Sequence, residues 1–334
     1  MKILAIETSC DETSAAIVEN GVTVLSHELA SSAKSHIKTG GIVPEVGARQ
    51  QIISIMPTIQ AVMDGYSPDQ IDALAVTVGP GLIGSLLVGV ETAKTLAWAW
   101  EKPLIPVDHV VAHLYSAWLS DPTPELPALG LTISGGHTEF LLIKDHGDIQ
   151  FLGSTRDDAA GEAFDKIARL LKRPYPGGPQ IEQMAKEGNP NAVPLPRPMI
   201  NEDSLEMSFS GLKTAVRNAR ESGEYQDFDI AASFQQAVVD VLVAKTARAI
   251  QEYQPKSLII AGGVAANTAI RETLTKEFSH SAAVHVSQMS LAVDNAAIIG
   301  SYAYFNNHPQ PITEIDADPL YHARLIGTSR SKKL

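Results

Sequence analysis

The sequence predicts an α/β protein with two similar lobes and a ligand cleft between them. Each half of the chain carries a hairpin with a polar first turn, and later a strand, a glycine-rich turn and a helix. The hairpins begin at Ile3 and Ala128, and the later strands begin at Ile71 and Ser257. Because open α/β sheets bind ligands at strand ends, both sets of turns are expected to face one cleft. Two unrelated α/β domains with ordinary turns are the alternative.

A proline-rich segment at residues 121–127 is the best candidate for the linker between the halves. We therefore expect lobe I to comprise residues 1–125 together with about 300–334, and lobe II to comprise residues 126–299. A chain of 334 residues is long enough for two lobes with separate cores.

The first half reads as a three-stranded meander followed by alternating helices and strands. Short apolar runs bounded by turn residues indicate strands, and longer periodic runs indicate helices. Pro57 predicts a break or kink in the first helix. The predicted elements are strands at 3–6, 14–18 and 22–28, a flexible glycine loop at 38–44, a helix at 45–63, a strand at 71–78, a helix from 82 or 83, a strand at 103–107 and a helix from 108 to about 119.

The second half repeats this order with a longer helical insertion. Ser233 is a plausible N-cap for a long amphipathic helix whose apolar stripe forms core. The predicted elements are strands at 128–134, 139–144 and 149–154, a helix at 157–171, an extended loop at 190–198, a helix from 233 to about 253, a strand at 257–261 and a helix at 267–278.

Composition restricts the compartment and the partners. The net charge of −12 excludes nucleic-acid binding by bulk charge, so a nucleic-acid partner would need a local basic face or a helper subunit. The N-terminus reads directly as a strand, so we expect no signal peptide, and no apolar run is long enough to span a bilayer. The single cysteine, Cys10, suits a reducing cytoplasm, where we expect the protein. Cys10 has no adjacent histidine and is expected to be half-buried, not a nucleophile.

Two histidines with helical spacing are the first candidates for chemistry. His109 and His113 share a helix face and can hold one metal ion, with Asp108 as N-cap. Asp294 could complete a site of two histidines and one carboxylate, although a lone Asp before a helix is more often an N-cap. Two surface histidines are the alternative. Val110 follows His109 where zinc peptidases carry glutamate, which counts against peptide hydrolysis.

Glycine-rich turns are candidates for binding phosphate or nucleotide. Residues 134–138, 175–179 and 261–267 allow close backbone approach to an anion. Asp165 could accept hydrogen bonds from ribose hydroxyls or an amine, with a solvated helix face as the alternative.

Ten motifs occur in one order and together resemble the TsaD family, the tRNA N6-adenosine threonylcarbamoyltransferases, formerly described as O-sialoglycoprotein endopeptidases. The resemblance covers the chain from Ile3 to about Ile299 and is closest to the bacterial branch. The motifs lie at residues 6–13, 40–45, 79–82, 109–113, 134–138, 158–166, 175–179, 208–214, 262–264 and 294–295.

The resemblance implies an actin/Hsp70/sugar-kinase-like (ASKHA) fold. It also implies transfer of threonylcarbamoyl from threonylcarbamoyl-AMP to N6 of adenosine 37 in tRNAs that read codons beginning with A. Carried over by motif, the metal ligands are His109, His113 and Asp294, with Fe²⁺ as the divalent metal and Zn²⁺ or Mg²⁺ as alternatives. The implied adenylate contacts are Thr132, Ile133, Ser134, Gly135, Gly136, Asp165, Gly178, Glu182 and Asn267, and the acidic residues implied in activity are Asp11 and Glu12.

Three positions depart from the family pattern. Asp108 stands where Asn or His is expected, Val293 where Thr is expected, and Glu182 where Asp is common in bacterial members. The ligands are intact, but the surroundings of the metal and the role of position 182 are in question.

Partners are the part of the function that the residues indicate least. The resemblance implies a TsaB-like paralogue and a TsaE-like ATPase, with no membrane partner, and the apolar stretch 82–100 is either the paralogue interface or core. An ATPase or small-molecule kinase of the same fold, a non-catalytic scaffold and a metallopeptidase are the alternative functions. Candidate tRNA phosphate contacts, each of which could equally be a solvated cation, are Lys166, Arg169, Lys172, Arg173, Lys213, Arg217, Arg220, Arg324, Arg330, Lys332 and Lys333.

Overall fold

The computed structural model describes residues 1–31 and 43–330, so most of the predicted glycine loop, together with Lys332 and Lys333, lies outside the described residues. The chain divides into two compact units, Met1–Thr123 with Gln288–Leu334 and Pro124–Ser287. Sequence analysis assigned 288–299 to the second lobe, whereas the structure places this segment in the first unit. The reason is packing, because Ile298 and Ile299 belong to the same buried cluster as Ile3 and Ala5.

The first unit is built on a five-stranded mixed sheet with the order β3-β2-β1-β4-β5. The central strand β1 pairs antiparallel with β2 and parallel with β4. Its side chains alternate between two cores, since Leu4 and Ile6 face one cluster and Ile3 and Ala5 face the other. The strands are β1 (Lys2–Glu7), β2 (Glu12–Glu19), β3 (Thr23–Ser31), β4 (Ala73–Gly79) and β5 (Leu104–Asp108).

The helices of the first unit differ in two places from expectation. The first helix runs through Pro57 without a break. The histidine helix ends at Leu114 and continues as a 3₁₀ helix over Tyr115–Leu119, where an α-helix was expected. The helices are α1 (Pro44–Val62), α2 (Ile83–Ala99), α3 (His109–Leu114), α9 (Met289–Ala292), α10 (Ala296–Phe305) and α11 (Tyr321–Arg330).

The second unit carries a sheet with the same mixture of pairings, in the order β10-β9-β6-β7-β8. Strand β6 pairs antiparallel with β7 and parallel with β9, as β1 pairs with β2 and β4. The elements are β6 (Ala128–Ile133), β7 (Thr138–Asp145), β8 (Asp148–Ser154), α4 (Ala160–Leu170), α5 (Gly177–Ala185), α6 (Ser210–Ser222), α7 (Asp227–Tyr253), β9 (Ser257–Ala261), α8 (Thr268–Phe278) and β10 (Ala283–Val286).

Two helix starts in the second unit were predicted wrongly. Helix α7 begins at Asp227, and Ser233 lies inside it as a buried residue. The Ser233 hydroxyl accepts a hydrogen bond from the Val193 N–H at 3.1 Å, so it ties the proline-rich loop to the helix instead of capping it. Helix α4 begins at Ala160, three residues later than expected, because Asp157 is used elsewhere as a cap.

The described helices include none with both the length and the apolar character needed to cross a membrane.

Candidate metal and adenylate sites

The three predicted metal ligands come together in the first unit. The Nε2 atoms of His109 and His113 are 3.2 Å apart, and the Oδ1 atom of Asp294 lies 3.4 Å from the first and 3.3 Å from the second. Both imidazoles are buried and Asp294 is half-buried. The triangle of ligand atoms is nearly equilateral.

These dimensions fit a transition-metal ion. Ligands at about 2.1 Å from an ion, separated by angles of about 90–110°, lie about 3.0–3.4 Å from each other. The donor set of two neutral imidazoles and one carboxylate is the facial arrangement that leaves coordination positions for substrate. The residues therefore fit a divalent cation, and Fe²⁺ or Zn²⁺ suits the two nitrogen ligands better than Mg²⁺, which prefers oxygen.

Local sequence explains why the ligands point together. Asp108 ends β5 and caps α3, because its Oδ1 accepts hydrogen bonds from Val110 N–H at 2.9 Å and Val111 N–H at 3.0 Å. The cap starts the helix at His109, so both histidines share its inner face. Asn295 caps α10 and holds Asp294 just before that helix. Asn295, not Asp294, therefore takes the capping role that was the alternative for Asp294.

A buried carboxylate orients the first histidine. Glu7 is fully buried at the end of β1, and its Oε2 lies 3.1 Å from His109 Nδ1. The Thr77 hydroxyl and the Ser9 N–H also donate to Glu7. A carboxylate on the far nitrogen fixes the ring and makes Nε2 a stronger ligand.

The pKa values of this cluster reflect opposed effects of burial and charge. Burial would raise the pKa of Asp294, but the imidazoles of His109 and His113 outweigh it and hold that pKa well below its usual range. Burial would lower the pKa of His109, but the carboxylates of Asp294 and Glu7 hold that pKa well above its usual range. Glu7 is likewise buried, and His109 keeps its pKa lowered.

The two acidic residues implied in activity follow β1, with Asp11 in the connecting loop and Glu12 as the first residue of β2. The Gln51 amide of α1 fixes this loop, because it donates to the carbonyls of Cys10 at 3.0 Å and Glu12 at 2.9 Å. Burial and the charges of Asp11 and Asp294 raise the pKa of Glu12 to about 7, and the Ser31 hydroxyl opposes this by donating at 2.8 Å. Burial also raises the pKa of the Cys10 thiol, so Cys10 is not an activated nucleophile.

In the second unit, the turn after β6 forms an open loop. The Ser134 hydroxyl accepts from the His137 N–H at 3.0 Å, and Ser134 N–H donates to the His137 carbonyl at 2.8 Å. A Cβ atom placed on Gly135 or Gly136 would meet nothing within 4 Å. The turn is therefore held at its base, while its tip leaves room for a ligand.

The strand leading to this turn contributes two buried residues. Thr132 and Ile133 end β6, and the Thr132 hydroxyl is buried without a hydrogen-bond partner within the described chain. The turn after β9 approaches them closely, since a Cβ on Gly262 would lie 2.5 Å from the Ile133 carbonyl oxygen. Gly262 has φ +92°, a conformation that also requires glycine.

The remaining implied adenylate contacts fall into two pairs. Asp165 on α4 accepts from the Gly177 N–H at 2.7 Å, beside Gly178 at the start of α5. Burial raises the pKa of Asp165. Glu182 accepts from the Thr268 N–H at 3.1 Å, and Asn267 caps α8 and donates to Gln235 at 2.8 Å. Glu182 and Asn267 thus hold the start of α8.

Sequence analysis missed Glu7 and Gln51, which support the site residues, and Asp157, which supports α6. Glu7 could have been noticed as a charged residue at the end of an apolar strand, and Gln51 had no signal. Asp157 accepts from the Phe209 N–H at 2.8 Å and from the Ser210 hydroxyl at 2.7 Å, so it caps α6 from a distant part of the chain. These contacts and burial lead to a pKa of about 2 for Asp157, because the hydrogen bonds outweigh the burial.

Comparisons with known proteins bear on the fold and the family of the chain. Solved structures share the two-lobed actin/sugar-kinase-like fold, as predicted. HypF of T. kodakarensis has a TM-score of 0.64 at 15% identity, over 92% of this chain and 47% of that chain. A ROK family protein from Streptococcus pneumoniae TIGR4 has a TM-score of 0.55 at 10% identity, over 97% of this chain and 100% of that chain.

Sequence relatives identify the family more narrowly. The tRNA N6-adenosine threonylcarbamoyltransferase of Moorella thermoacetica is 50% identical over 311 residues, which cover 91% of this chain and 91% of the relative. The family model of TsaD, tRNA N6-adenosine threonylcarbamoyltransferase, matches residues 23–301. The chain belongs to the TsaD family.

Proposed function

We propose that the protein transfers the threonylcarbamoyl group of threonylcarbamoyl-AMP to N6 of adenosine 37 in tRNAs that read codons beginning with A, and releases AMP. The observation that carries this proposal is the His109, His113 and Asp294 cluster in a chain of the TsaD family. Transfer of an acyl group from an adenylate needs orientation and charge stabilisation more than a strong nucleophile.

The reaction needs one proton acceptor. The N6 lone pair of adenosine attacks the carbamoyl carbon, the bond from this carbon to the phosphate oxygen breaks, and AMP leaves with that electron pair. The N6 proton passes to a carboxylate. Glu12 suits this role because its pKa of about 7 makes it a base matched to neutral pH. Asp11, the residue before it, would orient the amine.

We assign the metal-binding role to His109, His113 and Asp294, with Fe²⁺ as the first choice and Zn²⁺ and Mg²⁺ as alternatives. A bound divalent cation would supply Lewis-acid chemistry toward donor oxygens. Glu7 and the Asp108 cap fix His109 for this purpose.

The adenylate would be bound by the second unit. The turn at Ser134–Gly136 offers space for the donor, and the Asp165 carboxylate suits ribose hydroxyls. Thr132 and Ile133 support the base of the turn. Gly178, at the start of α5, leaves open space where a side chain would otherwise lie. Glu182 and Asn267 already have protein partners, so we assign them to holding α8 in place.

An exposed apolar surface in the first unit supports the proposal of partner proteins. Ile52 and Ile53 on α1 are 63% and 68% exposed, and Trp98 on α2 is 75% exposed. The other large apolar side chains exposed on these two helices are Val46, Met56, Ile83 and Leu87. We propose that a TsaB-like paralogue covers this surface and that a TsaE-like ATPase assists turnover in the cytoplasm.

The proposal is tested by measuring bound metal and transfer to tRNA for the wild type and for His113→Ala. The assay contains the donor-forming synthase, threonine, bicarbonate, ATP, tRNA and the two partner proteins. His280→Ala, an exposed histidine of the second unit, is the matched control. We expect His113→Ala to lose metal and transfer together, with the control unchanged. Transfer by a His113→Ala variant without metal would refute the metal role, and ATP turnover without any transfer to tRNA would favour the kinase or ATPase alternative.

A further inference from the structure

The surface formed by α4 and α6 in the second unit carries a cluster of cations in an otherwise acidic chain. The net charge is −12, yet four exposed cations lie on α6 and in the turn after α4. They are Lys172, Arg173, Lys213 and Arg217. We propose that this surface binds the sugar-phosphate backbone of the tRNA substrate, an inference that rests on the proposed function.

The two helices lie side by side and run in the same direction. Asp157, just before α4, caps the start of α6. Arg220, near the end of α6, donates to the carbonyl of Leu170, the last residue of α4. The two ends of α6 are therefore tied to the two ends of α4, and their surfaces form one continuous strip.

The cations of α6 lie on the side of the helix that faces the end of α4. Lys213, Arg217 and Arg220 are spaced four and three residues apart, so they share one helix face. Since Arg220 reaches Leu170, this face is next to the turn that carries Lys172 and Arg173. Neighbouring cations on α6 are about 5–6 Å apart at Cβ, so the strip concentrates positive charge.

Three carboxylates near this strip are engaged by Lys166 and Arg220, whereas Glu221, four residues after Arg217 on α6, is exposed. Lys166 pairs with Asp158 at 2.7 Å and with Glu162 at 2.9 Å, and Arg220 pairs with Asp227 at 3.1 Å. Within residues 1–31 and 43–330, Lys172, Arg173, Lys213 and Arg217 form no ion pair. By contrast, the described cations that do pair with a carboxylate include Lys2, Arg49, Lys94, Arg156, Arg197, Arg248, Lys256 and Arg324.

The strip begins on the helix that carries a candidate adenylate contact. Arg169 is exposed one turn beyond Asp165 on α4, and its charge helps to lower the pKa of Asp165 against the effect of burial. A polyanion lying along α4 and α6 would thus approach the residue expected to contact the donor. Phosphates neutralised by lysine and arginine release counterions, which is how an acidic protein can hold RNA through a local surface.

The test compares two double variants in the assembled complex with the partner proteins. Lys213→Ala with Arg217→Ala removes two cations of the strip, and alanine preserves the helix. Lys144→Ala with Lys276→Ala is the control, because it removes the same charge from two exposed positions of the same unit, on β7 and α8. The dissociation constant for substrate tRNA is measured from about 50 to 200 mM salt, a range over which phosphate contacts change affinity strongly.

We expect the strip variant to weaken tRNA binding by about tenfold. The slope of log affinity against log salt should fall by about 1.4–1.8, which corresponds to the loss of two phosphate contacts. The control should keep the wild-type slope. Equal effects of both variants, or an unchanged slope in the strip variant, would overturn the inference while leaving the proposed function intact.

Two further outcomes would also decide whether this surface binds tRNA. If the strip variant keeps tRNA affinity but no longer binds a partner protein, the surface is a protein interface and the inference is wrong. If the wild-type complex neither binds tRNA nor transfers to it, the proposed function fails, and the inference fails with it. Melting temperatures of the two variants, expected to match the wild type, show that any loss of binding is not unfolding.

Discussion

Replacing Glu7 by glutamine should weaken metal binding at the histidine site by about 10–100-fold, although Glu7 would contact no metal itself. Glu7 is fully buried and its Oε2 lies 3.1 Å from His109 Nδ1. When His109 binds a metal its ring is neutral, so Glu7 acts as a charged acceptor for the Nδ1–H, and a hydrogen bond to a charged group contributes about 1.5–3 kcal/mol. The range of 10–100-fold corresponds to about 1.4–2.7 kcal/mol.

Glutamine is a severe change here despite its shape. The two oxygens of Glu7 accept from the Ser9 N–H and the Thr77 hydroxyl as well as facing His109. Glutamine offers one acceptor oxygen, and its NH₂ group would have to face a donor. His109 would lose either its orientation or its charged partner.

The assay is a competition titration of Fe²⁺ or Zn²⁺ against a chelator, for wild type, Glu7→Gln and Glu139→Gln. Glu139 is a buried carboxylate of the second unit and controls for the loss of a buried charge in general. The melting temperature is recorded for each variant. Metal affinity equal to wild type in a folded Glu7→Gln variant would refute the reasoning, because the carboxylate would then support only the fold.

Three further predictions use groups outside the metal ligands. The transfer rate of the wild type should rise as pH increases through about 7, where Glu12 becomes a carboxylate, and a pH–rate profile of Glu12→Gln should lack this inflection. Asp157→Ala should lower the free energy of unfolding in urea by about 1 kcal/mol through loss of a helix cap, whereas the exposed Asp203→Ala should change it little. Because the folded pKa of Asp157 is about 2 against 3.8, its contribution is present above pH 3.8 and lost as pH falls towards 2. Gly262→Ala should cost about 1–3 kcal/mol in the same urea experiment, and Gly263→Ala, which has open space around its Cβ, should cost clearly less.

The sheets and most helices were predictable because their signals are local. The mainly apolar runs at Ile3–Ile6 and Ala128–Ile133 are the pattern expected of strands buried on both faces of a sheet. The prediction that Ser233 caps a helix was wrong, because a serine followed by an apolar stripe resembles a helix start. A buried serine inside a helix can equally bind a neighbouring loop, and only the tertiary contact with Val193 distinguishes the two.

The candidate site was predictable in its ligands but not in its supports. The spacing of His109 and His113 is a local signal, whereas the position of Asp294 depended on a family resemblance. The assignment of the segment around Asp294 to the second lobe shows the limit of topology read from sequence. Its helix packs on β1 and β2 through small residues such as Gly300, and nothing in the local pattern says which sheet it will cover.

The contacts around the histidines bear on how the site would work. Asp108 fixes the start of α3, Glu7 fixes the His109 ring and Asn295 fixes the backbone beside Asp294. None of these three supports is itself a proposed ligand, and each is buried. The fold therefore already provides the ordering of the ligand atoms, which a flexible site would have to supply during binding. It follows that binding of a metal should stabilise the first unit against unfolding much more than it changes its structure.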